Sequence, residues 1–275
     1  MSKNGKQKVI GIPPRKITVI IPHFSCIDLL YEAIRSIAAQ TFRDVFIVVI
    51  DDCSEGDEFS RLARSMARLD CAMFLRTSRN VGNYQIKNAL LPLIASPFIA
   101  FQDADDYSLP TRLALQLQQA EKAKLDIVGC SFLEEFSDGR TARVVRMVRR
   151  ANFWVRLGRR FVCLHPTMLV RRRVFQLIGG FDGGTRFGAD SDFILRSSLF
   201  FKIGNVSQVC YRKRTHPESL TQSKDTGFGS AARHAYCEGV ENRHQQRLRA
   251  RTPGERLQLA QAIPNVDAFS LSVIE

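Results

Sequence analysis

Two apolar runs, Ile17 to Ile21 (ITVII) and Val45 to Ile50 (VFIVVI), stop abruptly at polar residues, Pro22-His23 and Asp51-Asp52. Short continuous runs of β-branched residues suit strands buried on both faces, as in a parallel sheet covered by helices. Between and after them the period changes. Leu30, Ile34, Ile37 and Ala38 recur at helical spacing, and so do Phe59, Leu62, Met66 and Leu69. Met73-Phe74-Leu75 reads as a third strand, 83–93 as a helix and Phe98 to Phe101 as a fourth strand. A helix over 113–122 and a fifth strand over 126–130 follow. This alternation predicts right-handed βαβ units: an α/β fold, a mostly parallel sheet flanked by helices. Ligands of such sheets bind beyond the carboxyl ends of the strands. The polar residues gather there: Pro22-His23, Asp51-Asp52, Arg79-Asn80 and 103–106.

The chain has 275 residues, enough for one large domain or a domain with an appendage. Its net charge of +13 asks for an anionic partner: nucleic acid, a membrane surface or a phosphate-bearing substrate. Nucleic acid is disfavoured, because no recognised binding module occurs and acids sit where phosphates would lie. The seven cysteines are odd in number and include no C-x-x-C pair, which fits reduced thiols in a cytoplasmic protein. The polar, basic segment 1–15 has no apolar stretch of signal-peptide type. No apolar run reaches the roughly 18–20 residues of a membrane span. From Gly139 to Phe181 there are 11 arginines and no acidic residue. Such a segment suits peripheral contact with an anionic membrane, a phosphate-bearing acceptor, or plain solvation as a basic loop.

Several clusters carry candidate chemistry, each beside a plainer reading. Asp103-Ala104-Asp105-Asp106 follows the fourth strand, and D-x-D spacing offers hard oxygen ligands for Mg²⁺ or Mn²⁺. The same acids would also suit the start of the next helix. Asp51-Asp52 could receive a base N–H or a ribose hydroxyl, or simply form an Asx turn. In Arg79-Asn80-Val81-Gly82-Asn83, Gly82 allows close backbone approach, and Lys87 on the following helix offers a point charge to phosphate. The loop is not a P-loop, and no G-x-G-x-x-G is present. Asp190 and Asp192 open another helix, as first-turn acids or with Asp190 as a general base. His165 and His216 are each more simply structural, with His216 also a candidate third metal ligand.

Taken in order, ITVIIPHFS, AIRSIAAQTFRDVFIVVIDDCSEG, RNVGNYQIKNALLPLIASPFIAFQDADD, HPTMLVRRRVF, IGGFD and FGADSDFILR resemble the family-2 glycosyltransferases of GT-A fold. The resemblance spans roughly residues 16–222. It implies a Rossmann-like nucleotide-sugar half over 16–130 and an acceptor half over 131–225; the polar, Gln- and Arg-rich, weakly patterned stretch 226–275 reads as a loosely attached helical tail. It implies a nucleoside-diphosphate sugar, commonly of UDP, a divalent metal, and inverting transfer to a glycan or polyprenyl-phosphate-linked acceptor. Under it Pro22, His23, Asp52, Asn80, Gly82 and Ala104 belong to the nucleotide-sugar pocket. Asp51 recognises the base, and Lys87 stands near the nucleotide where arginine is frequent. Asp103 meets the ribose or a metal-bound water, Asp105 ligates the metal with Asp103 and His216 beside it, and Asp190 is the catalytic base. The family's usual Glu-Asp pair is Ala189-Asp190 here. That departure keeps a binding protein without turnover as the alternative.

Overall fold

The structure, a computed structural model, describes residues 10–217, 219, 221–222, 224–261 and 268–274. Residues 1–9 of the expected basic tail and part of the expected C-terminal tail lie outside them. The first half follows the predicted alternation: β1 (Ile17–His23), α1 (Ile27–Ala38), β2 (Val45–Asp51), α2 (Glu58–Ser65), β3 (Ala72–Thr77), α3 (Asn83–Leu90) and β4 (Phe98–Phe101). β1 pairs in parallel with both β2 and β4, and β2 with β3. Ile20, Val48, Ile50 and Phe101 enter one core, while Val19, Ile21, Ile47 and Val49 enter the other. Alternate residues of each strand are thus buried on opposite faces, which explains the unbroken apolar runs.

The second half comprises β5 (Tyr107–Ser108), α4 (Arg112–Lys122), β6 (Ile127–Phe136), β7 (Arg143–Val145), α5 (Ala151–Arg156), β8 (Leu169–Arg171), α6 (Arg172–Ile178), α7 (Ala189–Ser198) and β9 (Ile203–Thr215). Here the sheet becomes mixed. β8 enters between β4 and β6, antiparallel to both, whereas β6 and β9 pair in parallel. The parallel expectation therefore holds unbroken from β3 to β4, is interrupted by β8 and resumes between β6 and β9. The arginine-rich segment folds back as a hairpin strand and a short helix, not as a crossover, so β8 returns in the opposite direction. Arg112, fully buried, locks this junction. Its guanidinium donates to the Phe101 and Pro166 carbonyls, Gln102 Oε1, Ser108 Oγ and Gln116 Oε1. Those bonds hold the end of β4 and the acidic turn after it in a fixed frame.

The C-terminal segment is not loosely attached. It forms α8 (Ala231–Arg249), α9 (Pro253–Ala260) and β10 (Leu271–Val273), and β10 joins the sheet antiparallel to β3. Asp192 on α7 accepts from Arg196 Nε at 2.6 Å and from Arg247 Nη1 on α8 at 3.0 Å, with all three residues buried. Burial pushes the Asp192 carboxyl up, but Arg196 and Arg247 outweigh it and hold it below its ordinary value. Asp192→Ala strands two buried guanidinium groups, so it is expected to cost about 3–5 kcal/mol near neutral pH. A carboxyl with a lowered folded-state pKa stabilises above the ordinary carboxylate range and loses that stabilisation in acid. Denaturant titrations should therefore show the gap between the two proteins closing as pH falls below that range. Among the described residues no helix is long and apolar enough to cross a membrane.

Candidate active site

A cleft of ≈ 470 Å³ opens at the carboxyl ends of β1, β2 and β4. Of the residues singled out in the sequence, Pro22, His23, Asp52, Asn80, Gly82, Asp103, Ala104, Asp105, Asp106 and His216 line it. Asp51, Lys87 and Asp190 are not among its lining residues.

Pleating separates Asp51 from Asp52, because adjacent side chains of a strand face opposite ways. Asp51 is fully buried and accepts from Arg76 Nε at 2.7 Å, from Ser54 and from His23 Nδ1 at 2.9 Å. The Cys26 amide donates to His23 Nε2, so the proton of a neutral His23 sits on Nδ1 and points to Asp51. Burial pushes Asp51 up, but its hydrogen bonds from His23 and Ser54 and the charges around it leave its carboxyl below the ordinary value. Asp52 instead accepts from the amides of Val81 and Gly82 at 2.8 and 2.7 Å, fastening the R-N-V-G-N loop to β2. Gly82 makes this possible at φ 90°, a left-handed conformation that glycine adopts freely.

The acidic turn after β4 brings one oxygen from each of Asp103, Asp105 and Asp106 within 4.8 Å of one another. Among the described residues no lysine or arginine side chain makes an ion pair with any of the three. Among the described residues Asp105 pairs with His216, whose Nε2 lies 3.0 Å from Oδ2. Asp106 is buried and accepts from the Arg214 amide at 2.7 Å. Burial, with Asp105 and Asp103 beside it, pushes its carboxyl well above the ordinary value. Burial likewise pushes Asp103 up to about 6, Lys87 opposing this while Asp105 and Asp190 add to it. Three hard oxygen donors at this spacing, with no side-chain cation paired to them, fit a divalent Mg²⁺ or Mn²⁺ ion.

Lys87 lies behind the cleft, fully buried, with Nζ 3.0 Å from His165 Nε2 and 5.0 Å from the Phe101 ring centre. Burial drives it down to about 8, against the pull of Asp103 and Asp190. His165 is stacked between Tyr84 and Phe181, and burial together with Lys87 holds it well below the ordinary imidazole range. The neutral ring therefore accepts a hydrogen bond from the ammonium. Asp190 stands in the first turn of α7, half-buried, and accepts from Tyr84 Oη at 3.1 Å. Asp103, Lys87 and Asp190 thus act on one another electrostatically, although only Asp103 lines the cleft.

Sequence reasoning gave no part in the site to five contributors. His165 and Tyr84 hold Lys87 and Asp190. Lys213 and Arg214 come from β9 and are engaged by Glu134 and Glu32. Arg186 crosses from the loop before α7 and donates to Asn80 Oδ1. It lines the cleft with no carboxylate partner among the described residues. Only the folded path of that loop over Gly82 gives Arg186 its place, and no spacing rule announces it.

The solved structure of Staphylococcus aureus TarS residues 1–349 in complex with UDP-GlcNAc is similar to this chain, with a TM-score of 0.68. The match is 18% identical and covers 89% of this chain and 70% of that one. The fold is thus that of a GT-A-type glycosyltransferase. The model of glycosyl transferase family 2 matches residues 18–179, and the chain belongs to that family. Among curated relatives, the uncharacterized glycosyltransferase EpsJ of Bacillus subtilis (strain 168) is 28% identical over 219 residues, covering 75% of this chain and 63% of EpsJ. The UDP-Glc:alpha-D-GlcNAc-diphosphoundecaprenol beta-1,3-glucosyltransferase WfaP of Escherichia coli is 26% identical over 110 residues. That match covers 40% of this chain and 43% of WfaP. The chain spans less than two thirds of the length of either relative.

Proposed function

We propose that this protein is a metal-dependent, inverting glycosyltransferase, working at the cytoplasmic face of a membrane. It would move a sugar from a UDP-sugar to a hydroxyl of a glycan or a polyprenyl-diphosphate-linked acceptor. The observation that carries this reading is the three-carboxylate corner, without an arginine or lysine ion pair among the described residues, facing the cleft. WfaP, named for a UDP-glucose donor and a diphosphoundecaprenol acceptor, and TarS, bound to UDP-GlcNAc, support the choice of donor and acceptor.

Asp105 and Asp103 would hold the divalent ion, with His216 against Asp105. When bound, such an ion neutralises charge on the departing diphosphate. Asp190 takes the proton of the acceptor hydroxyl as its oxygen attacks the anomeric carbon. The bond from that carbon to the diphosphate oxygen breaks in the same displacement, and the configuration inverts. Arg186 offers its guanidinium to the diphosphate, and Lys87 adds positive charge from behind. Ala189, fully buried in the core, favours the second reading of a nucleotide-sugar-binding protein without turnover, since it leaves Asp190 without the neighbouring glutamate.

Thermal shift with UDP, GDP and a DNA duplex, each with and without Mn²⁺, tests the binding half of the proposal. Stabilisation by UDP only with Mn²⁺ is expected, and a shift with DNA alone would overturn it. Release of UDP from a panel of donor sugars tests turnover; its absence with every donor and candidate acceptor leaves the binding protein. The buried lysine adds a pH signature. Its folded-state pKa near 8 means that charge is present below and lost above that value. Turnover is therefore expected to decline as pH rises through about 8, a limb that Lys87→Met removes along with most activity.

A further inference from the structure

The acid-free segment has an outer surface that the transfer chemistry leaves unused. Phe153, Trp154, Leu157 and Phe161 are 54%, 39%, 64% and 49% exposed. Isolated exposed apolar residues need no explanation, but these four fall together on α5 and the turn after it. Phe153 and Trp154 meet edge to face with ring centres 5.7 Å apart. Gly158, at φ 89°, turns the chain so that the Arg159 amide donates to the Trp154 carbonyl at 2.9 Å. The Arg159 guanidinium then lies 5.9 Å from the Trp154 ring centre and donates to the Phe161 carbonyl. Arg146, Arg149, Arg150 and Arg156 are exposed in the same stretch. None of these five arginines is ion-paired to a carboxylate among the described residues.

The inner side is firmly seated. Ala151 and Val155 are buried, and Asn152 bonds the Ser198 and Phe201 carbonyls and the Ile203 amide. Arg160 forms a two-pronged pair with Glu241 of α8. A held turn that presents aromatic and leucine tips in the same stretch as exposed arginines without carboxylate partners among the described residues matches an anionic bilayer interface. The rings and Leu157 enter the headgroup–acyl boundary while the guanidinium groups stay with lipid phosphates. Nucleic acid satisfies the arginines equally well but offers no apolar phase to Leu157, the most exposed of the four.

We propose that α5 and the turn after it form the surface by which this protein sits on anionic membranes. The proposal does not depend on the sugar-transfer reading. Full-length protein is sedimented with vesicles of phosphatidylcholine alone and of phosphatidylcholine mixed with phosphatidylglycerol. Retention on the anionic vesicles only, weakening as salt rises, is expected. Trp154→Ser with Leu157→Ser should lower partitioning by about tenfold or more. Arg156→Gln with Arg159→Gln should lower it by about fivefold per charge. Both pairs are expected to keep the wild-type melting temperature and any UDP-dependent shift. No retention, equal retention on neutral vesicles, or variants that bind like wild type would overturn the proposal. So would capture by a DNA duplex that displaces the vesicles, or a self-association that Trp154→Ser with Leu157→Ser abolishes.

Discussion

Asp190→Asn is expected to lower turnover by about 10²–10⁴-fold while leaving the nucleotide-dependent thermal shift in place. The substitution keeps shape and the acceptor oxygen for Tyr84 Oη, which lies 3.1 Å from Asp190 Oδ1. It removes the one property the proposed chemistry needs, the capacity to take a proton. Because Asp190 does not line the cleft, donor binding should survive. Asp190 also helps keep Lys87 charged, so the alkaline decline in the residual activity should move to lower pH. Single-turnover measurements across pH, beside melting curves with UDP and Mn²⁺, separate the two effects. Undiminished turnover would move the base elsewhere. Loss of the thermal shift would mean that Asp190 serves binding rather than proton transfer.

The strands and the acidic turn were legible because their signals are local. A continuous apolar run ending in polar residues states both a buried strand and the edge at which ligands meet it. The direction of each side chain was less legible. Asp51 and Asp52 look alike in the sequence, yet one is sealed against His23, Ser54 and Arg76 and the other faces the loop. Pleat phase decides this, and the phase was readable: Asp51 continues the series Ile47 and Val49. Asp190 and Asp192 are a parallel case. Two helical positions are separated by about 200°, so the pair faces apart. Asp190 turns to Tyr84 and Asp192 to the arginines of α7 and α8. What no local pattern could show is the long-range company: Lys87 against His165, Arg112 across the end of β4, and Arg186 over Gly82. The carboxylates after β4 have positive neighbours in Lys87 and, more weakly, Lys213, and the stronger of the two, Lys87, is buried and loses charge near pH 8.

That imbalance sets the second large effect. Asp105→Ala is expected to abolish the metal-dependent part of stabilisation by UDP, about 2.7 kcal/mol at a ligand concentration of 100 times Kd. It should also reduce turnover to background. Asp106→Asn is expected to keep most of both. The two acids are adjacent, and the distinction rests on their surroundings. Asp105 is partly exposed to the cleft, and His216 is its sole hydrogen-bonding side chain among the described residues. Asp106 is buried beneath it, accepts from the Arg214 amide and is pushed by burial toward its neutral form. An asparagine oxygen can still accept from that amide, so Asp106→Asn removes little charge that the folded protein maintains. If Asp106→Asn were as damaging as Asp105→Ala at unchanged melting temperature, Asp106 would be ionised at the working pH and would share in holding the cation. His216→Ala provides the remaining comparison. A modest loss of metal affinity with the UDP shift retained fits a residue that orients Asp105, whereas complete loss makes the imidazole itself a ligand.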